Sequence, residues 1–174
     1  MVPTTSAVKF EITYAENFRQ RVCDENDSDP FGHLKTKIDG EYLIGTDDTY
    51  VGVWLSEDLA RLLAQTEAIV SGSETRVTFR NGPSYLVAEP YDETVDLTHC
   101  LHLEGAENPE ERWEMERTFT VTKQEWITEL VQASEEYYRD VLKLNPDLKK
   151  DDYLLRLGEE LEAAKERLDV LSNQ

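Results

Sequence analysis

Acid/base chemistry near neutral pH needs a histidine, or a carboxylate whose surroundings move it there, and this chain of 174 residues has three histidines, His33, His99 and His102. If Val95 to Leu103 is a strand, His99 shares a face with Leu97 and Leu101, while His102 turns to the other face with Cys100. A regular strand therefore cannot bring both imidazoles to one metal ion. A bulge, or Cys23 folded alongside, would be needed to build a Cys/His site. The paired spacing that such ligands carry is missing, so no metal is expected. The ordinary place for His99 is a satisfied core position, and for His102 the surface. His33, beside Gly32 in a loop, has no partner visible in sequence.

Calcium is the next chemistry to weigh, because Asp24, Asn26 and Ser28 take the first three ligand spacings of an EF-hand loop. The sixth position, where glycine is required, is Asp29, and the last, where glutamate is required, is Lys35. Starting at Asp27 places Gly32 correctly but puts Phe31 and Ile38 at ligand positions, so an EF-hand is rejected and a solvated acidic loop is left. Adjacent carboxylates at Asp47-Asp48, Asp92-Glu93 and Glu159-Glu160 could share acid/base work, but among 37 acidic residues such pairs arise by chance. No HExxH, GxSxG, GxGxxG or phosphate-cradling glycine loop occurs. No catalytic residue and no cofactor is assigned.

Charge restricts the partners. The 37 acidic against 18 basic residues give −19, spread as −5, −5 and −9 over residues 1–56, 57–103 and 104–174. Such a surface repels phosphate backbones and anionic lipids unless a local basic patch overrides the field. The densest basic stretch, Lys149-Lys150, is followed at once by Asp151 and Asp152, so neither nucleic acid nor membrane is expected as a partner. General acidity fits either a basic partner or a salt-rich cytoplasm, and eight Lys against ten Arg leans slightly to the second. Cys23 and Cys100 read as free thiols. Met1 to Phe10 shows no basic region followed by an apolar run, and a cytoplasmic protein is expected.

The elements that must position these residues follow from periodicity. Val8, Phe10, Ile12 and Tyr14 alternate with polar residues as a half-buried strand does, and Arg19 to Cys23 reads as a short partner strand. Asp24 to Pro30 is a loop. Asp39-Gly40 between Leu34 to Ile38 and Tyr42 to Ile44 is a two-residue hairpin signal. Tyr50 to Leu55, apolar almost throughout, reads as a central strand with both faces covered. Ser56 is the expected N-cap of a helix to Val70, which Gly72 stops. Val77 to Arg80 and Tyr85 to Glu89 are strands about an Asn81-Gly82 turn, which Pro83 is expected to widen. Val95 to Leu103 and Trp113 to Val121 are long strands joined by an acidic loop, Glu104 to Glu111.

At Thr122 the period changes from 2 to 3.6, with Glu125 in a capping-box relation. Trp126, Leu130, Ala133, Tyr137, Val141 and Leu144 form the stripe of one helix, which Asn145-Pro146 ends. Leu154, Leu157, Leu161, Ala164, Leu168 and Leu171 form a narrower seam on a second. The seam is too short for a free coiled coil, so it is expected to dock on the preceding helix in a monomer, with a homodimer through 152–171 as the alternative. The fold class is α+β: a mainly antiparallel sheet with one inserted helix about 56–70, then a C-terminal helical hairpin. The whole chain, 1–174, is expected to be one domain, β-rich over 1–122 and helical over 123–174.

Phe10-Glu11-Ile12, Tyr50-Val51-Gly52-Val53-Trp54, the helix start Ser56-Glu57-Asp58-Leu59 and the paired strands near Val77 and Tyr85 resemble small bacterial immunity proteins of the WapI type and related uncharacterised domains. That resemblance covers Val8 to Leu101 and implies a cytoplasmic, toxin-neutralising protein without catalysis; the hairpin after Thr122 departs from it. The leading expectation is thus a non-enzymatic acidic binding protein, an inhibitor of a basic partner. A rival is a hydrolase or transferase using a carboxylate or His99 in a sheet-edge cleft, and a third reading gives the acidity wholly to salt adaptation. On the salt-adapted reading, stability rises toward molar salt, where the Debye length falls to ~3 Å and self-repulsion is relieved. Chemical denaturation with salt titrated at fixed pH checks this; a flat or falling midpoint rules it out.

Overall fold

The computed structural model describes residues 7–46, 51–81 and 84–173. Asp39 (φ 51°) and Gly40 (φ 81°) both sit at positive φ, so the expected hairpin turn forms and sets β2 (Phe31–Ile38) against β3 (Glu41–Ile44). β2 is the central strand of the first sheet. β1 (Val8–Tyr14) lies antiparallel on one side, from Val8 opposite Ile38 to Tyr14 opposite Gly32. The other side is shared: β3 takes Thr36 to Ile38, and β4 (Val51–Trp54) takes Phe31 to Leu34.

The second sheet is an antiparallel meander of β5 (Val77–Asn81), β6 (Ser84–Tyr91), β7 (Thr94–Cys100) and β8 (Thr118–Thr122). Asn81 pairs directly with Ser84; Gly82 and Pro83 of the expected turn lie outside the described residues. The α+β class with antiparallel sheets holds, as two four-stranded sheets among the described residues.

Several local expectations are corrected. Arg19 to Cys23 is not a strand but part of α1 (Phe18–Cys23), because Phe18 and Val22, four apart, are the pair that reaches the core. The run Tyr50 to Leu55 is not a central strand. β4 pairs only with half of β2, Trp54 is 49% exposed, and Leu55 already opens α2 (Leu55–Ser71); Tyr50 lies outside the described residues. β7 ends at Cys100, leaving Leu101 and Leu103 exposed. β8 starts only at Thr118, so Trp113 and Met115 are not on a strand. Between them the chain forms α3 (Leu103–Glu107) and a 3₁₀ turn, Pro109–Glu111, whose start is capped by Asn108.

Two long helices lie on the sheets, and a third packs on them. α2 packs on β2, β4, β5 and β6, and α4 (Lys123–Leu144) packs on β1, β8 and α2. Trp126 of α4 ties the layers, its ring tilted against Phe10 of β1 (4.9 Å between centroids, 56° between planes) and its indole N–H donated to Thr66 Oγ1 of α2 (3.1 Å). α4 starts as expected, with Thr122 Oγ1 accepting from the Glu125 amide. α5 (Asp152–Ser172) buries Leu154, Leu157, Leu161 and Ala164, and the seam meets α2 as well as α4 rather than α4 alone.

Ser56 does not cap α2. Its hydroxyl points inward, donating to the Ser28 carbonyl (2.5 Å) and meeting the Tyr137 hydroxyl (2.7 Å). Since Ser56 has one proton and gives it to Ser28, Tyr137 is the donor in the second bond. The cap comes from elsewhere: Asp29 accepts from the Glu57 amide (3.0 Å), and Asp58 reaches back to the Trp54 amide (2.9 Å). Ser28 Oγ donates to Asp151, whose carboxylate also caps α5 at Tyr153. Asn145 donates to the Val22 carbonyl and to Asn26. The segment 24–30 is therefore a structural junction, not a solvated loop.

Two expectations follow. Leu161, 2% exposed in the seam, should cost roughly 2–5 kcal/mol on truncation to alanine. The unfolding midpoint of Leu161→Ala should be independent of protein concentration over a hundredfold range if the seam works within one chain; a concentration-dependent midpoint makes it a subunit interface. Burial pushes the Asp29 carboxyl up to about 6, against the amide bonds from Glu57 and Ser56 that pull it down. A carboxyl that holds its proton more tightly when folded contributes stability at low pH that is lost as pH rises from about 4 to about 6. Unfolding free energies of wild type and Asp29→Asn, measured from pH 4 to 7, should show the wild type losing ground to the variant across that window; a constant difference would refute the assignment.

Candidate functional site

Where β7 ends, the chain turns onto the face of the second sheet away from the helices. α3 lies there over β6 and β7, and Val87, Cys100 and Ala106 form a small apolar cluster of their own beneath it. Arg112 binds the segment from below: its Nε donates to the Gly105 carbonyl (2.9 Å) and one terminal nitrogen to Thr98 Oγ1 (3.2 Å). The other terminal nitrogen lies 3.7 Å from Glu89. Arg76 donates to the Ala106 carbonyl.

Glu116 is the pin. Its side chain is only 1% exposed, and its two oxygens accept from the amides of Trp113 (2.7 Å) and Leu101 (2.5 Å), drawing the two ends of the 101–116 excursion together. His102 stacks flat on Trp113, 4.4 Å between centroids and 19° between planes, with Nδ1 3.6 Å from Glu116 Oε1. Gly105 is required beneath: a Cβ there would stand 2.8 Å from the His102 ring and 3.3 Å from Glu116. Amide donors satisfy this buried carboxylate, and in return it fixes a shelf.

What the shelf displays is unusual for a surface so acidic. Leu101, Leu103, Trp113 and Met115 are 44%, 46%, 48% and 72% exposed. Glu104, Glu107, Glu110, Glu111 and Glu114, interspersed with them along the segment, are all exposed. Exposed apolar side chains on a held backbone, interspersed with glutamates and with Arg117 at the far end, have the composition of a docking surface.

The residues weighed for chemistry do not converge. His99 sits half-buried on the helix-facing side of β7, where burial pushes its imidazole below the usual value and Glu116 partly offsets this. His102 closes the shelf from beyond the end of β7. His33 lies on β2 opposite Gly52, its ring edge-on to Phe31, and not in a loop. Cys23 and Cys100 are free thiols in different places: Cys23 on α1 reaches the Leu144 carbonyl (3.7 Å), and Cys100 lies under α3. Among the described residues no three His, Cys, Asp or Glu side chains are grouped to hold a metal ion. Asp47-Asp48 lies outside the described residues, Asp92-Glu93 forms the β6–β7 turn, and Glu159-Glu160 lies on α5. An apolar cavity of about 20 Å³ lies between α2 and the second sheet, beside Thr66, Phe79 and Trp126. An open groove of about 690 Å³ runs along α4 and α5 with mixed charges. Neither is lined by a histidine.

Glu116 and Arg112 escaped sequence reading because alternation from Trp113 to Val121 imitates a strand. The one contrary signal was Asn108-Pro109, a dipeptide that starts turns and breaks ladders. Comparison with protein-family models, curated protein sequences and solved structures gives no match.

Removing the pin should release the shelf. Glu116→Ala leaves the amides of Leu101 and Trp113 without their acceptor and is expected to cost about 2–3 kcal/mol, the scale of hydrogen bonds to a charged group. Local hydrogen exchange at Leu101 and Trp113 should rise more than exchange in α4. Uniform exchange changes across both regions would show that Glu116 supports the whole fold instead.

Proposed function

We propose that this chain is a non-enzymatic acidic binding protein, a cytoplasmic inhibitor of the immunity type that covers a basic partner. The observation that carries the reading is the shelf over 101–116, where exposed Trp113 and Met115 stand among five exposed glutamates on a backbone held by Glu116 and Arg112. Apolar side chains at the centre of such a patch supply affinity, and a rim of like charge supplies steering and partner choice. The overall charge of −19 adds a long-range field of the same sign. The resemblance of Val8 to Leu101 to WapI-type immunity proteins agrees with this reading, and neutralising a toxin by occlusion requires no catalytic group.

The same field argues against nucleic acid and anionic membrane as partners. No helix among the described residues is long and apolar enough to cross a membrane.

The test is capture from the native host at its working salt, followed by reconstitution from purified components. A one-to-one complex with a basic protein is expected, weakened at least roughly tenfold by Met115→Asp, as for a central interface residue. Circular dichroism should show the variant folded. A neutral or acidic partner, or a complex indifferent to Met115→Asp, would overturn the reading.

A further inference from the structure

Trp113 has one ring face covered and is still 48% exposed. The covered face lies on the His102 imidazole, 19° from parallel, and His102 is backed in turn by the buried Glu116 carboxylate 3.6 Å from its Nδ1. The indole is thus backed on one face, with its remaining area exposed, and Glu110, Glu111 and Glu114, its near neighbours in sequence, are exposed as well. A fixed aromatic face bordered by carboxylates suits a planar cation. A guanidinium can lie on the ring while its N–H groups reach the carboxylates; an ammonium is a point charge and cannot do both as well. The chain already uses this contact internally: Arg61 lies 5.0 Å from the Phe79 centroid and Arg117 5.1 Å from that of Phe119.

We infer that the outer face of Trp113 is an arginine-binding site, and that the basic partner docks by stacking an arginine side chain there with its guanidinium paired to the rim glutamates. This rests on the basic-partner reading above and adds the chemistry of the residue recognised. Trp54, the other exposed tryptophan among the described residues, packs edge-on to Phe31 (5.3 Å, 69°) on the first sheet and has no stacked imidazole behind it, and is the natural control.

The experiment titrates the whole protein with two synthetic peptides of equal length and charge, one carrying arginine and the other lysine at every basic position, by calorimetry at fixed ionic strength. The arginine peptide should bind roughly three- to tenfold more tightly, the range of an exposed to partly desolvated cation–π contact. Trp113→Leu, which keeps an apolar side chain on the shelf, should abolish that preference, so that the two peptides bind with equal affinity; Trp54→Leu should keep it. Equal affinities, or a preference that survives Trp113→Leu, overturn the arginine site and leave a basic partner standing. If neither peptide binds, both this inference and the basic-partner reading fail.

Discussion

One buried junction ties three helices to the segment that leads into β2. Tyr137 of α4, 1% exposed, gives its hydroxyl proton to Ser56 of α2, and Ser56 gives its own to the carbonyl of Ser28. Asp29 ends the same segment by capping α2, and Ser28 passes through Asp151 to the start of α5. A helix leaves open amides at its N-terminus, and for α2 a short irregular segment supplies the acceptor through Asp29. Each partner is set by a position more than twenty residues away. Loss of the Ser56 hydroxyl would leave the Tyr137 hydroxyl of α4 without its acceptor and the Ser28 carbonyl without its donor at once, which makes the junction cooperative in a way that separate caps would not be.

The shelf repeats that logic on the opposite face of the second sheet. Glu116 and Arg112 turn their charges inward to satisfy backbone groups, so the apolar residues between them are left outside. Burying a carboxylate in a chain with so many is unfavourable unless its hydrogen bonds are complete, and here two amides and a nearby imidazole meet it. Rigidity follows from that satisfaction. A loop of the same composition without the pin would have to be ordered on binding and would lose affinity to the entropy of ordering.

On the proposed basic-partner reading, acidity and the shelf would divide the work of recognition. Charge spread over the whole chain acts at distances of a Debye length and fades as salt rises, whereas apolar contact at Trp113 and Met115 does not depend on screening. In a salt-rich cytoplasm the second contribution would dominate affinity, and the glutamates would chiefly exclude wrong partners.

Much of the architecture was legible in the sequence. Alternation at Val8 to Tyr14, the Asp39-Gly40 turn, the stripe beginning at Trp126 and the leucine seam of α5 each state their element, because side-chain period and turn stereochemistry are local properties of the chain. What only the tertiary structure decided was where polar side chains spend their hydrogen bonds. Ser56 has the right residue type and position for an N-cap and was drawn away by Tyr137, eighty-one positions on. Phe18 and Val22 made a helix of a segment that alternation allowed as a strand. Trp113 and Met115 carry strand periodicity yet stand on a shelf, because Glu116 found two amides within reach and ended the ladder before it began. Such choices depend on which distant groups arrive beside a residue, and no local pattern encodes that.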